Sequence, residues 1–175
     1  MEELIEKAKK GDKESFTQVI LLVKASLYKI AKMRTSNDED VQDIIQETMI
    51  DAYKYIKNLK EPSKFKAWII KILINNCNKY YKKNYVEENY DVEFFKESIR
   101  NNNDYQLVEA TLNFYEMIKN LKYEERIVIV LYYAEKYTTK EIAEILSVNE
   151  NTIKTRLSRA KEKIKNNYKG GQSNG

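Results

Sequence analysis

Apolar residues recur at three- and four-residue spacing through most of the chain, which is the period of an amphipathic α-helix. Such stripes run through residues 4–8, 16–31, 41–56 and 65–73. They return at 107–121, 126–134, 142–146 and 153–160. Four glycines and one proline among 175 residues are too few for a fold built from many short strands and turns. The pattern therefore predicts an all-α fold.

The sharpest local pattern lies in residues 138–165, which predict two helices joined by a short turn. Thr138 and Glu141 have the spacing of a capping box, so the first helix should begin there. Residues 147–149 interrupt the apolar pattern, and Asn149 suits the N-cap of a second helix. The inward positions are Ile142, Ala143, Ile145 and Leu146, then Ile153, Leu157 and Ala160. This is typical of a helix-turn-helix, whose second helix lies in the major groove of DNA.

Charge supports that interpretation, because residues 150–169 hold seven basic and two acidic side chains. The outward residues that could contact duplex DNA are Asn151, Lys154, Thr155, Arg156, Ser158, Arg159 and Lys161. Such side chains suit both base edges and phosphates. A solvated basic helix in an ordinary bundle would carry similar charge. The combination of cap, turn and small inward Ala143 favours DNA binding.

Charge is also segregated elsewhere. Residues 38–51 contain six acidic and no basic residues, whereas residues 64–83 contain six basic and no acidic ones. Residues 84–106 are acidic again, with six acidic residues against two basic ones. Blocks of opposite sign on one chain indicate several different partner surfaces.

The basic block ends in a mixture of amides, aromatic rings and lysines, from Asn75 to Lys83. Rings can stack on unpaired bases while lysines hold the backbone, so this mixture suits single-stranded nucleic acid. The frayed end of an asparagine-rich helix would look the same, and the segment alone does not decide between the two. Trp68, earlier in this predicted helix of residues 63–83, is better explained as a core side chain.

The helical pattern divides into two parts. Residues 85–106 show little periodicity and predict a flexible acidic linker between domains at 1–84 and 107–169, with a disordered tail at 170–175. Ser36 and Glu39 have capping-box spacing ahead of the third helix.

Composition narrows the classes of function. The chain has no histidine and a single cysteine, which excludes the usual zinc sites and histidine-based triads. No glycine-rich phosphate loop is present. We therefore expect no enzyme, no metal, no cofactor and no small-molecule substrate. Without an apolar run of about 18 residues or a signal pattern, we expect a cytoplasmic protein.

Three segments together resemble a known family. They are DVQDIIQETMIDAYKYI at 40–56, FKAWIIKILIN at 65–75 and EIAEILSVNENTIKTRLSRAKEKI at 141–164. In order and separation, the three segments resemble those of the extracytoplasmic-function (group IV) sigma factors of bacterial RNA polymerase, in the sigma-70 family. That resemblance covers nearly the whole chain and implies a region 2 domain of four helices and a region 4 helix-turn-helix domain.

The resemblance assigns a partner to each surface. It implies that the acidic helix binds the clamp helices of the largest polymerase subunit through Asp40, Asp43, Gln46 and Glu47. It implies that the basic helix melts and reads the minus-ten element through Lys64, Lys66, Asn75, Asn76, Lys79, Tyr80, Lys82 and Lys83. The second helix of the helix-turn-helix would bind the minus-thirty-five element through the outward residues named above. A membrane-anchored anti-sigma factor, which would hold the protein at the membrane, is a further implied partner.

Two other classes of function fit parts of the pattern. A stand-alone helix-turn-helix regulator would carry a sensing or dimerisation domain in its first half, where this chain instead has an acidic helix followed by a basic one. A helical interaction module that does not bind nucleic acid would not need the two basic blocks. A promoter-specificity subunit of RNA polymerase accounts for all of these features.

Overall fold

The computed structural model describes residues 1–35, 37–84 and 105–171, with side chains for all of these except 83, 84, 105–111 and 168–171. Within these ranges the chain forms eight α-helices, three short turns of other helical type and no strand, so the predicted all-α fold is confirmed. The chain divides into two compact units, Met1–Glu88 and Asn89–Gly175. Residues 85–104 of the predicted linker lie outside the described residues.

The N-terminal unit contains α1 (Glu2–Lys9), α2 (Lys13–Lys32), α3 (Asp38–Tyr55) and α4 (Phe65–Asn84). Gly11, at φ 99°, ends the first helix in a backbone conformation that glycine adopts readily. Asp12 then caps α2, because its carboxylate accepts the amide of Glu14 at 3.2 Å. The helices α2, α3 and α4 pack against one another, and α1 packs on α2.

The core of this unit lies between α2, α3 and α4. Its fully buried side chains include Leu27, Ile30, Ile44, Ile69 and Leu73, all at inward positions of the predicted stripes. Burial of each such side chain contributes about 1.5–3 kcal/mol. Those contributions hold α3 and α4, the acidic and basic helices, side by side.

The start of α3 differs from the prediction by one residue. Its N-cap is Asn37, whose Oδ1 accepts the amides of Glu39 at 2.8 Å and Asp40 at 3.3 Å. The predicted capping box from Ser36 to Glu39 is therefore wrong, and Ser36 itself lies outside the described residues. Serine and asparagine are both favoured N-caps, so two adjacent candidates could not be separated by spacing.

The start of α4 also differs from the prediction. A 3₁₀ turn, Pro62–Lys64, leads into the helix at Phe65, and a second one, Ile56–Asn58, follows α3. Phe65 is fully buried, whereas Trp68 is half-buried beside it, with ring centroids 5.7 Å apart. The expectation that Trp68 is the largest core side chain is therefore wrong.

The C-terminal unit contains α5 (Tyr105–Ile118), α6 (Tyr123–Ile129), α7 (Thr139–Leu146) and α8 (Glu150–Gly171). A π-helical turn, Val130–Ala134, continues α6. The predicted helix at 126–134 thus begins three residues earlier and changes its winding at Val130. The last helix, α8, ends at Gly171 and so includes the first two residues of the predicted tail. The remaining tail residues lie outside the described ranges.

No helix in the described ranges is long and apolar enough to cross a lipid bilayer.

Candidate nucleic-acid interfaces

Local hydrogen bonds hold α7 and α8 in the predicted helix-turn-helix. Thr138 Oγ1 accepts the amide of Glu141 at 3.2 Å, and the Glu141 carboxylate accepts the amide of Thr138 at 2.8 Å. Ser147 takes the left-handed conformation in the turn, at φ 55° and ψ 44°. Asn149 caps α8 by accepting the amide of Asn151 at 2.8 Å. Both predicted caps are confirmed.

Inward and outward residues of α8 separate as the sequence predicts. Ile153, Leu157 and Ala160 are buried. The most outward face is formed by four exposed residues at helical spacing, namely Asn151, Lys154, Thr155 and Ser158. Arg159 and Lys161 are exposed on its two sides, and Arg156 is half-buried at one edge. The structure thus brings all seven candidates for duplex contact onto one helix, with amide and hydroxyl groups near the centre and cations around them.

The first turn of α8 is tied to α7 through Glu150. Its Oε1 accepts the hydroxyl of Thr139 at 2.7 Å and lies 3.1 Å from the ammonium of Lys154. The hydrogen bond from Thr139, followed by that from Lys154, holds the pKa of Glu150 below its usual range. Glu150 therefore stays ionised near neutral pH and holds Lys154 close to the helix N-terminus.

The π-helical turn brings two aromatic rings to the other end of the α8 surface. The ammonium of Lys161 lies 5.7 Å from the ring centroid of Tyr132 and 5.6 Å from that of Tyr133. Cations over tyrosine faces are attracted by the ring quadrupole. Lys163, by contrast, is bound to the buried Glu125 at 2.7 Å, so it ties α8 to α6 and is not among the predicted DNA contacts.

The acidic face of α3 contains the four residues predicted to bind polymerase. Asp43, Gln46 and Glu47 are exposed, and Asp40 is half-buried. Within the described part of the chain, neither Asp43 nor Glu47 forms an ion pair. Like charges four residues apart on a helix repel each other. A cationic partner would reduce this repulsion.

The structure brings together only part of the predicted minus-ten set. Asn75, Lys79 and Lys82 are exposed, and their spacing of four and three residues places them on one face of α4. Trp68 lies on the same face, seven residues before Asn75, and is half-buried. The size of Trp68 predicts a core position, although its spacing from Asn75 indicates this shared face. The side chain of Lys83 lies outside the described residues.

Lys64 and Lys66 are separated from that face. Lys64 belongs to the 3₁₀ turn and pairs with Glu61 at 3.0 Å. Lys66 is half-buried and shares its side of α4 with the buried Ile70 and Leu73. At 1.5 Å per residue, both lysines lie about 15 Å along the chain direction from Asn75. A single contact surface does not include all eight candidates.

Asn76 is not available to a base. It is 5% exposed, and its Nδ2 donates to Asp51 Oδ2 at 3.1 Å and to Thr48 Oγ1 at 3.4 Å. A buried amide held by two partners cannot turn outward without losing both bonds. The prediction that Asn76 contacts DNA is therefore wrong, and Asn76 instead joins α4 to α3.

Tyr80 also faces α3. Its hydroxyl donates to Asp40 Oδ1 at 2.8 Å, so a residue predicted to contact DNA is bonded to one predicted to contact polymerase. A groove of about 440 Å³ lies between the two helices, and it is lined by Asp43, Ile44, Glu47, Asn76, Lys79 and Tyr80. The acidic and basic surfaces thus meet along one boundary.

The described residues contain no group of three or more histidine, cysteine or acidic side chains that could hold a metal ion. Cys77 is buried, and burial raises the pKa of its thiol to about 12, which leaves it protonated and unreactive near neutral pH.

Both units match models of known protein families. The family model described as "Sigma-70 region 2" matches residues 20–85, and the one described as "Sigma-70, region 4" matches residues 111–164. The first match contains the acidic and basic faces of α3 and α4. The second contains the helix-turn-helix.

Individual relatives extend over nearly the whole chain. The ECF RNA polymerase sigma-E factor of Haemophilus influenzae is 29% identical, covering 93% of this chain and 92% of its own. The ECF RNA polymerase sigma factor SigW of Bacillus subtilis is 26% identical, covering 92% of both chains. The sigma factor RpoE of Bartonella quintana, solved in complex with the anti-sigma factor NepR, has a similar fold, with a TM-score of 0.67 at 23% identity over 89% of this chain and 98% of that one. The chain therefore belongs to the sigma-70 family of RNA polymerase sigma factors, as a factor of the extracytoplasmic-function type.

Proposed function

We propose that this sigma factor binds core RNA polymerase through the acidic face of α3 and directs transcription initiation by engaging two promoter elements. The exposed face of α4 opens and reads the minus-ten element, and α8 binds the duplex minus-thirty-five element. The two functional domains are the unit up to residue 84 and the unit that contains residues 105–171, joined by the segment between them. The factor supplies specificity, and the polymerase supplies the catalysis.

The separation of charge supports this division of roles. Asp43 and Glu47 present carboxylates that no described residue neutralises, which suits a cationic protein surface. The outward face of α8 presents Lys154, Arg159 and Lys161 to a polyanion. Phosphate contacts of this kind supply affinity and position, whereas the amide and hydroxyl groups between them can read base edges.

Asn75 and Lys79 are the central residues of the proposed minus-ten contact. Both are exposed on α4, and Lys82 continues the same face. An exposed amide can hydrogen-bond the edge of a flipped base, and the half-buried Trp68 offers a ring on the same face two turns earlier. Asn76 and Lys66 have no part in this contact, because each lies on the side of α4 that faces the core.

We also propose an anti-sigma factor as a regulatory partner, since the similar RpoE of Bartonella quintana was solved with one. Such a partner would occlude the same charged faces, and if it is anchored in the membrane it would hold this factor there. Released factor would act in the cytoplasm, where polymerase and DNA are. Neither role requires a small molecule or a cofactor.

Transcription in a purified system tests the proposal directly. Core polymerase with this factor should start transcripts from a set of genomic promoters that core alone leaves silent, because the factor supplies both promoter contacts. Run-off transcription from a genomic fragment library measures this. Silence across the whole library would contradict the proposal, and tight sequence-specific binding by the factor without polymerase would favour a stand-alone regulator.

A further inference from the structure

Tyr80 was predicted to contact DNA, but its side chain is engaged elsewhere. The hydroxyl donates to Asp40 Oδ1 at 2.8 Å, across the interface of α3 and α4. That hydrogen bond, with burial as the second cause, raises the pKa of Tyr80 to about 12. The ring packs edge-on against Tyr81, with centroids 5.8 Å apart. Both the ring and the hydroxyl of Tyr80 therefore have partners inside the factor.

Tyr81 is buried beside Tyr80 on α4. It is 6% exposed, and the guanidinium of Arg34 lies 4.7 Å from its ring centroid. Tyr80 is thus held between a buried ring on α4 and a carboxylate on α3. For its ring to stack on a base, Tyr80 would have to leave a hydrogen bond to an ionised group, which is among the stronger kinds.

Asp40 is more constrained than the neighbouring carboxylates of the acidic face. It is half-buried, whereas Asp43 and Glu47 are exposed. An ionised carboxylate has about four lone-pair positions, and Tyr80 occupies one of them. The remaining positions can still accept hydrogen bonds from a cationic side chain of a partner. A carboxylate already held in one orientation loses less conformational freedom when such a partner binds.

The groove between α3 and α4 connects Tyr80 to the rest of the acidic face. Asp43 and Glu47 line it from α3, and Tyr80 and Lys79 line it from α4. A long cationic side chain that enters the groove would lie among residues that include Asp43, Glu47 and Tyr80. Tyr80 thus lies within the surface assigned to polymerase, at its border with the surface assigned to DNA.

We propose that Tyr80 is a positioning residue for polymerase binding, which orients the Asp40 carboxylate on the acidic face and does not read the minus-ten element. This inference rests on the proposed function, because it takes the acidic face as the polymerase contact. It reassigns Tyr80 from the DNA surface to the polymerase surface, and it makes the α3–α4 interface part of the binding site.

The test measures affinity of the full chain for core polymerase with no DNA present. Tyr80→Phe removes only the hydroxyl and should weaken binding about tenfold, which corresponds to about 1.4 kcal/mol. Tyr55→Phe makes the same chemical change at an exposed tyrosine on α3 outside the groove, and it should bind like the wild type. Circular dichroism should show equal helix content in all variants.

A double-mutant cycle with Asp40→Ala separates positioning from a general structural effect. If Tyr80 acts through Asp40, the variant with both changes should bind no more weakly than Asp40→Ala alone. The ring signals of Tyr80, followed by nuclear magnetic resonance across pH, add a second readout, because in Asp40→Ala the pKa of Tyr80 should fall towards its ordinary value. Additive losses in the cycle would overturn the inference.

Two further results would also overturn it, and they are distinguishable. If Tyr80→Phe binds core normally while Asp43→Lys does not, the inference fails and the proposed function stands. If Asp43→Lys also binds core normally, the acidic face is not the polymerase contact, and the inference fails together with that part of the proposed function.

Discussion

One position along α4 separates a proposed DNA contact from a buried structural residue. Asn75 and Asn76 are neighbours of identical chemistry, yet Asn75 is exposed and Asn76 is bonded to Asp51 and Thr48. The sequence contained the signal, because Asn76 follows the buried Ile69 and Leu73 at helical spacing. The hydrophobic pattern alone seldom predicts that a polar side chain is buried, because its burial is favourable only when a hydrogen-bonding partner is present.

The two asparagines therefore make a matched pair of variants. Asn76→Ala should lower the free energy of unfolding of the N-terminal unit by about 1–3 kcal/mol, because it leaves buried partners without their bonds. Asn75→Ala should change it by less than about 0.5 kcal/mol, as expected for an exposed position. Urea unfolding measures both. Asn75→Ala should instead reduce promoter opening, detected by permanganate reactivity of unpaired thymines, and equal stability losses would contradict this assignment.

Among the helices, the sequence predicted those features that depend only on neighbouring residues, such as the helix caps. The caps Thr138 and Asn149 act within three residues of themselves, so their spacing was sufficient to predict where α7 and α8 begin. The π-helical turn Val130–Ala134 was not predicted, because its apolar residues fit the pattern of an ordinary α-helix equally well. The contact between Lys161 and the two tyrosines depends on that turn, so it could not be predicted either.

The helix α8 is proposed to read the minus-thirty-five element, and its outward side chains can be truncated without changing the core. Replacing Lys154 and Arg159 by alanine should weaken use of promoters that need the minus-thirty-five element, by about 1–3 kcal/mol for each base that the helix no longer reads. Holoenzyme affinity for such promoters, measured at one fixed salt concentration, provides the readout. Lys13→Ala with Lys24→Ala removes the same charge from exposed positions on α2 and serves as the control. Equal weakening in both double variants would mean that net charge, not α8, determines promoter use.

The whole molecule consists of two units, and each has its own buried core in the described residues. Leu73 belongs to the core of the N-terminal unit and Leu157 to that of the C-terminal unit. Segregated charge and the break in periodicity were enough to predict two units from the sequence. The exact extent of each could not be predicted, because residues 105 and 106, assigned to the linker, begin α5.

We expect the two units to unfold in separate transitions. Leu73→Ala and Leu157→Ala should each destabilise one unit by about 2–5 kcal/mol, because each leaves a cavity in a different core. Calorimetry or urea unfolding followed by circular dichroism should show that each variant shifts only one transition. A single transition shifted by both variants would show that the units unfold together.

The separation of buried and outward residues on α8 affects how this protein can change over evolution. Ile153, Leu157 and Ala160 hold the helix in place, while Asn151, Lys154, Thr155 and Ser158 point outward and are not part of the core. Surface substitutions at such positions cost little stability. In the proposed role of α8, duplicated copies of the gene could therefore acquire new promoter preferences by drift at these four positions while keeping the same scaffold. The same independence would make α8 the place to retarget the factor by design.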